Sequence, residues 1–224
     1  MTRKVVTRSP HREVGVINAG WLLDHAVEHE SHLERRFVMG ALSCPVVQDI
    51  VHQPFVLSLE SEAGGSGDER YTPDFKVTFR DGTSLFVEVK PEVFIQKHAE
   101  RLRLIERCMR RDGLRFFIAN EVLIDGNGLS ARAMLLMRYG RLRFSDAAAL
   151  DCLNALREAC RGNSTIRELV EQGLNEALIW NLVARHKCRV RADFSVDEDQ
   201  VITTETLKGD CHDYFLSWFG ASVR

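Results

Sequence analysis

Two acidic residues and a lysine lie on consecutive predicted strands in a pattern that suits metal chemistry. Glu88-Val89-Lys90 ends an apolar run. Because side chains alternate along a strand, Glu88 and Lys90 share one face and Val89 points into the core. Asp74, just after Pro73, opens the preceding run. If the two runs pair, two carboxylates and an ammonium converge at one sheet edge. Carboxylates that close repel each other unless a divalent cation lies between them, so the pattern predicts a metal site.

The ion that such a site prefers is Mg²⁺, which takes carboxylate oxygens and completes its octahedron with water and phosphate oxygens. The chemistry that fits is phosphodiester hydrolysis, in which a metal activates water and neutralises charge on the phosphate. Lys90 can orient that water or help to deprotonate it. Glu34, on an upstream helix, is expected to bind a second metal directly or through water. The predicted metal ligands are Glu34, Asp74, Glu88 and the backbone carbonyl of Val89, with Mn²⁺ expected to substitute for Mg²⁺.

The hairpin between the two runs must have a particular register. Asp81-Gly82 is a strong hairpin signal between β-type runs. Asp74 and Glu88 share a face only if even-numbered positions pair with even-numbered positions, and a strict two-residue turn would put Asp74 on the wrong face. We therefore predict a connection of odd length, or a glycine bulge at Gly82.

The rest of the N-terminal half alternates between predicted helices and strands. Ser31 is expected to cap the helix that carries Glu34, and Cys44-Pro45 is expected to end it. Apolar periodicity and turn residues predict helix over residues 13–43, a strand interrupted by Pro54 over 49–60, a flexible loop over 62–69, a basic amphipathic helix over 92–112 and a buried strand over 114–124.

The pattern changes near residue 126, where DGNGLS is predicted to be a linker. Residues 129–160 are predicted to be helical. Residues 164–207 contain two short helical runs separated by Gly173, then two β-like runs, which together are typical of a winged helix. The predicted fold class is α/β (α+β), with a mixed sheet flanked by helices in residues 1–126 and a helical, winged-helix-like domain in residues 127–224.

Composition limits the class of protein. With 30 Lys and Arg against 32 Asp and Glu, the net charge is −2, which argues against binding nucleic acid through bulk charge alone. Basic residues nevertheless cluster in an N-terminal arm and in residues 97–115. No apolar run approaches the roughly 20 residues of a membrane span, and no signal core follows the N-terminus, so we expect a cytoplasmic protein without membrane contact. The scattered cysteines are expected to be buried small hydrophobes.

A Glu-x-Lys motif alone is more often a surface charge pair. Here Pro-Asp opens a strand, a hairpin follows, an apolar strand ends in the motif, a helical Glu precedes it and a basic helix follows. This ensemble predicts a metal-dependent nuclease of the PD-(D/E)xK type. Two alternatives remain open: a freestanding nuclease in restriction or repair, and a non-catalytic winged-helix module that binds DNA or protein.

The segments HLERRF, VHQPF, YTPDF and LFVEVKP, in that order, resemble the N-terminal catalytic domain of TnsA, the endonuclease subunit of heteromeric transposases. The resemblance covers roughly residues 30–125. It implies a restriction-endonuclease-like fold, use of Mg²⁺, and cleavage of the 5′ strands at transposon ends in double-stranded DNA. It also implies a DDE transposase subunit and an AAA+ ATPase regulator as partners, in a bacterial cytoplasm and at the nucleoid when active.

Carried over by position, the family's helical acid, strand acid and lysine correspond to Glu34, Asp74 and Lys90. Glu88 stands where some members have Gln. The pattern at 164–207 is similar to the family's C-terminal winged-helix-like domain. Candidate DNA contacts are Arg8, Arg12, Gln53, Lys97, Arg101, Lys187 and Arg189.

Overall fold

A computed structural model describes residues 14–59, 69–159, 163–205, 207 and 209–221. The strands are β1 (Gly15–Ile17), β2 (Val27–His29), β3 (Val47–His52), β4 (Leu57–Leu59), β5 (Glu69–Tyr71), β6 (Phe75–Phe79), β7 (Ser84–Val89), β8 (Phe116–Ala119), β9 (Asn163–Thr165) and β10 (Val201–Thr203). The helices are α1 (His32–Ser43), α2 (Glu92–Lys97), α3 (Ala99–Arg111), α4 (Glu121–Ile124), α5 (Leu129–Gly140), α6 (Asp146–Glu158), α7 (Ile166–Glu171), α8 (Glu176–Ala184) and α9 (Cys211–Trp218), with one 3-10 turn at Gly126–Gly128.

A mixed four-stranded sheet forms the centre, in the order β3-β6-β7-β8. The β6 strand is antiparallel to both β3 and β7, while β8 runs parallel to β7 after a crossover through α2 and α3. Its strands are rich in β-branched and aromatic residues, which favour a buried sheet. This arrangement confirms the predicted mixed α/β architecture. None of the helices in the described residues combines the length and apolar character that a membrane crossing requires.

The sheet is packed on both faces. On one face, Leu85, Val87 and Val89 of β7 belong to the main core, where Phe37 of α1 contacts Phe75 at 5.5 Å between ring centroids. On the other face, Phe86 packs in a smaller cluster with residues of α3. The alternation along β7 therefore sends odd-numbered side chains towards α1 and even-numbered ones towards α3.

The prediction of helix over residues 13–43 is wrong for its first half. Residues 15–17 and 27–29 form an antiparallel pair, with Gly15 opposite His29. The N–H groups of Leu22 and Leu23 both bond to the carbonyl of Ala19, which makes one tight turn rather than a helix. Helix begins only at His32, after Ser31 caps it as predicted.

Two further predicted elements are shorter than expected. The basic helix over 92–112 is divided at His98, whose φ of −113° and ψ of 23° lie outside the helical region. The strand over 114–124 stops at Ala119, because the side chain of Asn120 accepts the N–H of Leu123 and starts α4. Side-chain capping thus outweighed the apolar pattern at Asn120, whereas the side chain of His98 makes no capping hydrogen bond.

The C-terminal half contains the predicted helices. The helical region predicted over residues 129–160 contains α5 and α6, and the Thr165 side chain caps α7 in a reciprocal capping box with Glu168. The predicted two-stranded wing is only partly observed. Residues 201–203 form β10, which pairs with β9, whereas the run from Cys188 contributes one isolated bridge, between Arg189 and Thr203. A division into domains at residue 126 remains a prediction.

Candidate active site

The β6–β7 hairpin sets the positions of the two strand acids. Lys76 pairs with Phe86 and Thr78 with Ser84, so even-numbered positions face even-numbered positions. The N–H of Phe79 bonds to the carbonyl of Thr83 at 2.9 Å, which leaves a connection of three residues, with Gly82 at a φ of +82°. The predicted pairing of even with even positions is confirmed, and of the two predicted ways to reach it the structure has the connection of odd length.

Glu88 is buried and held at both carboxylate oxygens. The ammonium Nζ of Lys90 donates to Oε1 at 2.6 Å, and the phenol of Tyr71 donates to Oε2 at 2.8 Å. The backbone N–H of Lys90 bonds to the carbonyl of Ala119 on β8 at 3.0 Å. The lysine therefore leaves the sheet from a fixed point and lies on the same face as Glu88.

Asp74 lies immediately before β6 and is tied to the two strands beside it. Its carbonyl accepts the N–H of Gln53 at 2.8 Å, and its Oδ2 accepts the N–H of Val89 at 2.7 Å. Burial raises the pKa of the Asp74 carboxyl well above its usual range, and the carboxylate of Glu88 raises it further. The Val89 hydrogen bond and the charge of Lys90 oppose that rise.

Glu34 projects from the first turn of α1. Its Oε1 accepts the Ser31 hydroxyl at 2.9 Å, and its Oε2 accepts the N–H of Glu30 at 2.6 Å. Burial raises the pKa of the Glu34 carboxyl, these two hydrogen bonds lower it, and the charges of Glu30 and Glu88 raise it. Glu34 also raises the pKa of Asp74, so the helical acid lies within electrostatic range of the strand acids.

The structure thus brings together all four predicted residues, three carboxylates with one ammonium among them. The three acids do not form a tight cluster, since their carboxylate oxygens are not all within 4.8 Å of one another. Most of their oxygens accept protein donors, but Asp74 Oδ1 accepts no hydrogen bond from the described residues. An excess of partly buried negative charge with a free carboxylate oxygen is a donor set that suits Mg²⁺.

One other cluster of potential metal ligands occurs in the described residues. Side-chain atoms of Asp210, His212 and Asp213 lie within 4.8 Å of one another. Asp210 already accepts the N–H groups of His212 and Asp213 at the start of α9, and it also faces Arg115 at 3.5 Å. A helix cap and an ion pair account for this group.

Two residues near the acids were not assigned a role from the sequence. Tyr71 is 4% exposed and donates a hydrogen bond to Glu88. The Glu30 carboxylate accepts a hydrogen bond from the side-chain amide of Gln53 at 3.0 Å, and its backbone N–H donates to Glu34. Tyr71 belongs to the YTPDF segment, so the motif contained the signal. Gln53 has a φ of +45° and links Asp74 to Glu30, although the sequence placed it among candidate DNA contacts.

Among the remaining DNA candidates, Arg101 lies close enough to this network for its charge to lower the pKa of Tyr71. Lys97 and Arg101 are exposed on α2 and α3, and Lys187 and the half-buried Arg189 follow α8. Arg8 and Arg12 lie outside the described residues. Contact of any of them with DNA remains a prediction.

Comparison with known protein families agrees with the resemblance of the sequence motifs. Residues 44–121 match the sequence model of a family described as TnsA-like endonuclease N terminal. The matched segment includes Asp74, Glu88 and Lys90, while Glu34 precedes it. No curated protein matches the chain in sequence. The family match confirms the resemblance, since residues 44–121 are similar to the N-terminal domain of TnsA-like endonucleases.

Proposed function

We propose that this chain is a Mg²⁺-dependent DNA endonuclease of the PD-(D/E)xK type. The observation that carries the proposal is the convergence of Asp74, Glu88 and Lys90 at the β6–β7 hairpin, next to Glu34 at the start of α1. The pKa values of the Asp74 and Glu34 carboxyls are raised, and Glu88 is paired with Lys90. Three such acids with one lysine among them are the groups that phosphodiester hydrolysis requires.

Asp74 and Glu88 are the residues that hold the ion, with Glu34 and the Val89 carbonyl as further ligands. When bound, Mg²⁺ supplies an activated water and neutralises charge on the phosphate. Lys90, held 2.6 Å from Glu88 Oε1, keeps a positive charge at the face where the phosphate arrives. Its Nζ can donate a hydrogen bond to a phosphate oxygen or orient the attacking water. Tyr71 and the Val89 N–H fix the carboxylates of Glu88 and Asp74 for this purpose.

The biological reaction that we propose is cleavage of the 5′ strands at transposon ends during cut-and-paste transposition. The family description, TnsA-like endonuclease, supports this setting. The partners would be a DDE transposase, which processes the other strand, and an AAA+ ATPase regulator. A net charge of −2 agrees with a nuclease that depends on partners to present its DNA.

We also propose that residues 146–203 form a winged-helix-like unit. The elements follow in the order α6, β9, α7, α8, the Arg189 bridge and β10. The β10 strand pairs with β9, and Arg189 forms its bridge to Thr203 of β10. A winged helix has the same order of helices and strands. Lys187 and Arg189, just after α8, would then lie near a nucleic-acid or protein surface.

The test is strand-specific nicking in a reconstituted transposition reaction. Asp74→Asn and Lys90→Ala should abolish nicking of the 5′ strands while joining of the 3′ ends continues. Asp81→Asn is the matched control, since it removes an exposed carboxylate of the same hairpin. Survival of 5′ nicking in both site variants shows that the assigned site is wrong. Efficient cutting of arbitrary DNA by the isolated chain would instead favour a freestanding nuclease.

A further inference from the structure

A cavity of about 500 Å³ lies where the β1–β2 connection meets the ends of α5 and α8. It is separate from the acids of the candidate active site. Its lining includes Asn18, Trp21, Gly140, Arg141, Arg143 and Arg185. Three arginines therefore face one opening, and none of the described residues that line it is acidic.

The turn that carries two of these arginines is held firmly by α8. The side-chain amide of Asn181 donates to the carbonyls of Tyr139 at 2.7 Å and Leu142 at 3.0 Å. Nη2 of Arg185 donates to the carbonyls of Gly140 at 3.2 Å and Leu142 at 3.3 Å. The guanidinium of Arg185 and the turn over residues 139–143 are consequently fixed relative to each other.

Gly140 is required by the close approach of Trp21. A Cβ on Gly140 would overlap the indole ring of Trp21, so the ring lies directly against the backbone of the turn. Trp21 thus forms one wall of the cavity and supports the base of the Arg141–Arg143 segment. The arginines project from a preformed backbone surface, so binding of a ligand requires little ordering of the turn.

The charge of this cavity is not neutralised within the described residues. Arg141 and Arg143 are exposed and form no ion pair there, and Arg185 bonds only to backbone carbonyls. The cavity beside Arg189 and Arg191 differs, since Asp193 and Glu205 also line it. Arg191 is moreover paired with Asp193 at 3.3 Å. Uncompensated guanidinium groups on a fixed turn form a site for an anion.

We propose that this cavity binds backbone phosphates of double-stranded DNA. Guanidinium groups pair with phosphate oxygens through two parallel hydrogen bonds, and such contacts position a protein on DNA without reading sequence. Arg141 and Arg143 stand at the open mouth, where a polymer backbone can approach from solvent, while Arg185 lies half-buried behind them. The inference rests on the proposed function, because it assumes that DNA is the substrate.

The test is the salt dependence of DNA binding, measured by fluorescence anisotropy with a labelled duplex and the full chain in EDTA. Each phosphate contact contributes about 0.9 to the slope of log affinity against log salt. The Arg141→Ala/Arg143→Ala double variant should lower that slope by about 2 and weaken binding at low salt. The Arg157→Ala/Arg167→Ala double variant removes equal charge from α6 and α7 and should leave the slope unchanged.

An unchanged slope in the Arg141/Arg143 variant would overturn the proposal, as would absence of DNA binding by the unaltered chain at low salt. Titration with inorganic phosphate separates a third outcome. If free phosphate binds at the arginines but the DNA slope does not change, the cavity takes a small anion and the proposal is wrong. Because EDTA prevents cleavage, binding can be interpreted even if the nuclease assignment fails.

Discussion

The phenolic oxygen of Tyr71 lies 2.8 Å from Oε2 of Glu88, and its hydrogen bond orients a carboxylate whose other oxygen contacts Lys90. Burial and the charge of Glu88 raise the pKa of Tyr71 far above its usual range, so the phenol stays protonated and acts as a donor. In the proposed nuclease, Tyr71 is therefore a positioning residue that acts only through Glu88.

Replacement Tyr71→Phe keeps the ring, whose edge packs against Phe116, and removes the donor. We expect nicking to fall about tenfold and the Mg²⁺ concentration for half-maximal nicking to rise, because positioning of ligands by a neighbouring group typically contributes 10–100-fold. Stability should fall by about 1 kcal/mol in urea unfolding. Tyr214→Phe is the matched control, since its hydroxyl makes only a long 3.5 Å contact with Val190. An unchanged Mg²⁺ requirement would contradict the assigned role.

The raised pKa values of Asp74 and Glu34 predict the pH dependence of stability without metal. A carboxyl whose folded pKa exceeds its unfolded value binds a proton on folding between those two values. Its contribution to stability therefore decreases as pH rises through that window, from about pH 4 upwards. Urea unfolding in EDTA over a pH series should show that Asp74→Asn flattens this decrease and, near neutral pH, stabilises the chain by about 1 kcal/mol.

Asp81 is the contrasting case on the same hairpin. Hydrogen bonds from the Thr83 hydroxyl and N–H lower the pKa of its carboxyl. Its contribution to stability is present above the unfolded pKa and is lost as pH falls through the folded one. Asp81→Asn should therefore destabilise the chain near neutral pH, opposite in sign to Asp74→Asn. The same sign for both variants would show that the carboxylates at the site do not repel one another.

Magnesium should stabilise the folded chain. A ligand that binds only the native state adds about 2.7 kcal/mol at one hundred times its Kd. Differential scanning fluorimetry should show an increase in Tm with Mg²⁺ for the unaltered chain, and little increase for Asp74→Asn. Asp210→Asn, which alters the other carboxylate cluster, should leave the increase intact. A rise in Tm that depends on Asp210 instead of Asp74 would move the metal to α9.

The turn conformation at Gly82 can be tested by one methyl group. A Cβ at Gly82 would meet nothing within 4 Å, so Gly82→Ala changes only the cost of its φ of +82°. Stability should fall by about 1 kcal/mol in urea unfolding, since non-glycine residues disfavour this region. Gly126→Ala, also in open space but with no such φ, should cost less. Equal losses for both variants would indicate that the odd-length loop does not depend on glycine.

The register of the hairpin could be predicted because a metal site requires Asp74 and Glu88 to lie on the same face of the sheet. Two acids separated by a short turn share a face in only half of the possible registers, and Asp81-Gly82 supplied the turn. Ser31 was likewise visible as a cap from its place before an apolar helix. The YTPDF motif drew attention to Tyr71, but its contact with Glu88 depends on tertiary packing. The role of Glu30 could not be predicted, because its contact with Gln53 joins segments that are distant in sequence.

The errors occurred where two local patterns compete. Residues 15–29 contain apolar residues at both helical and alternating spacings. Pairing between residues 15–17 and residues 27–29 makes both segments strands. Asn120 ended the β8 strand because its side chain caps the next helix, an event of one residue that an apolar average does not detect. In the C-terminal half, the run from Cys188 has the residue types of a strand but forms one isolated bridge, between Arg189 and Thr203.

The Ser31–Glu34 cap puts the beginning of α1 in competition with the active site. Glu34 uses both carboxylate oxygens to bind Ser31 and Glu30, and its own N–H bonds to the Ser31 hydroxyl at 3.1 Å. A carboxylate that turned towards an ion beside Asp74 would give up its bonds from Ser31 and Glu30, while the cap on its own N–H would remain. A hydrogen bond to a charged group is worth about 1.5–3 kcal/mol, or roughly tenfold or more in an equilibrium constant. Recruitment of Glu34 would then loosen the segment that leads into α1, and the chain would trade local stability for ion affinity.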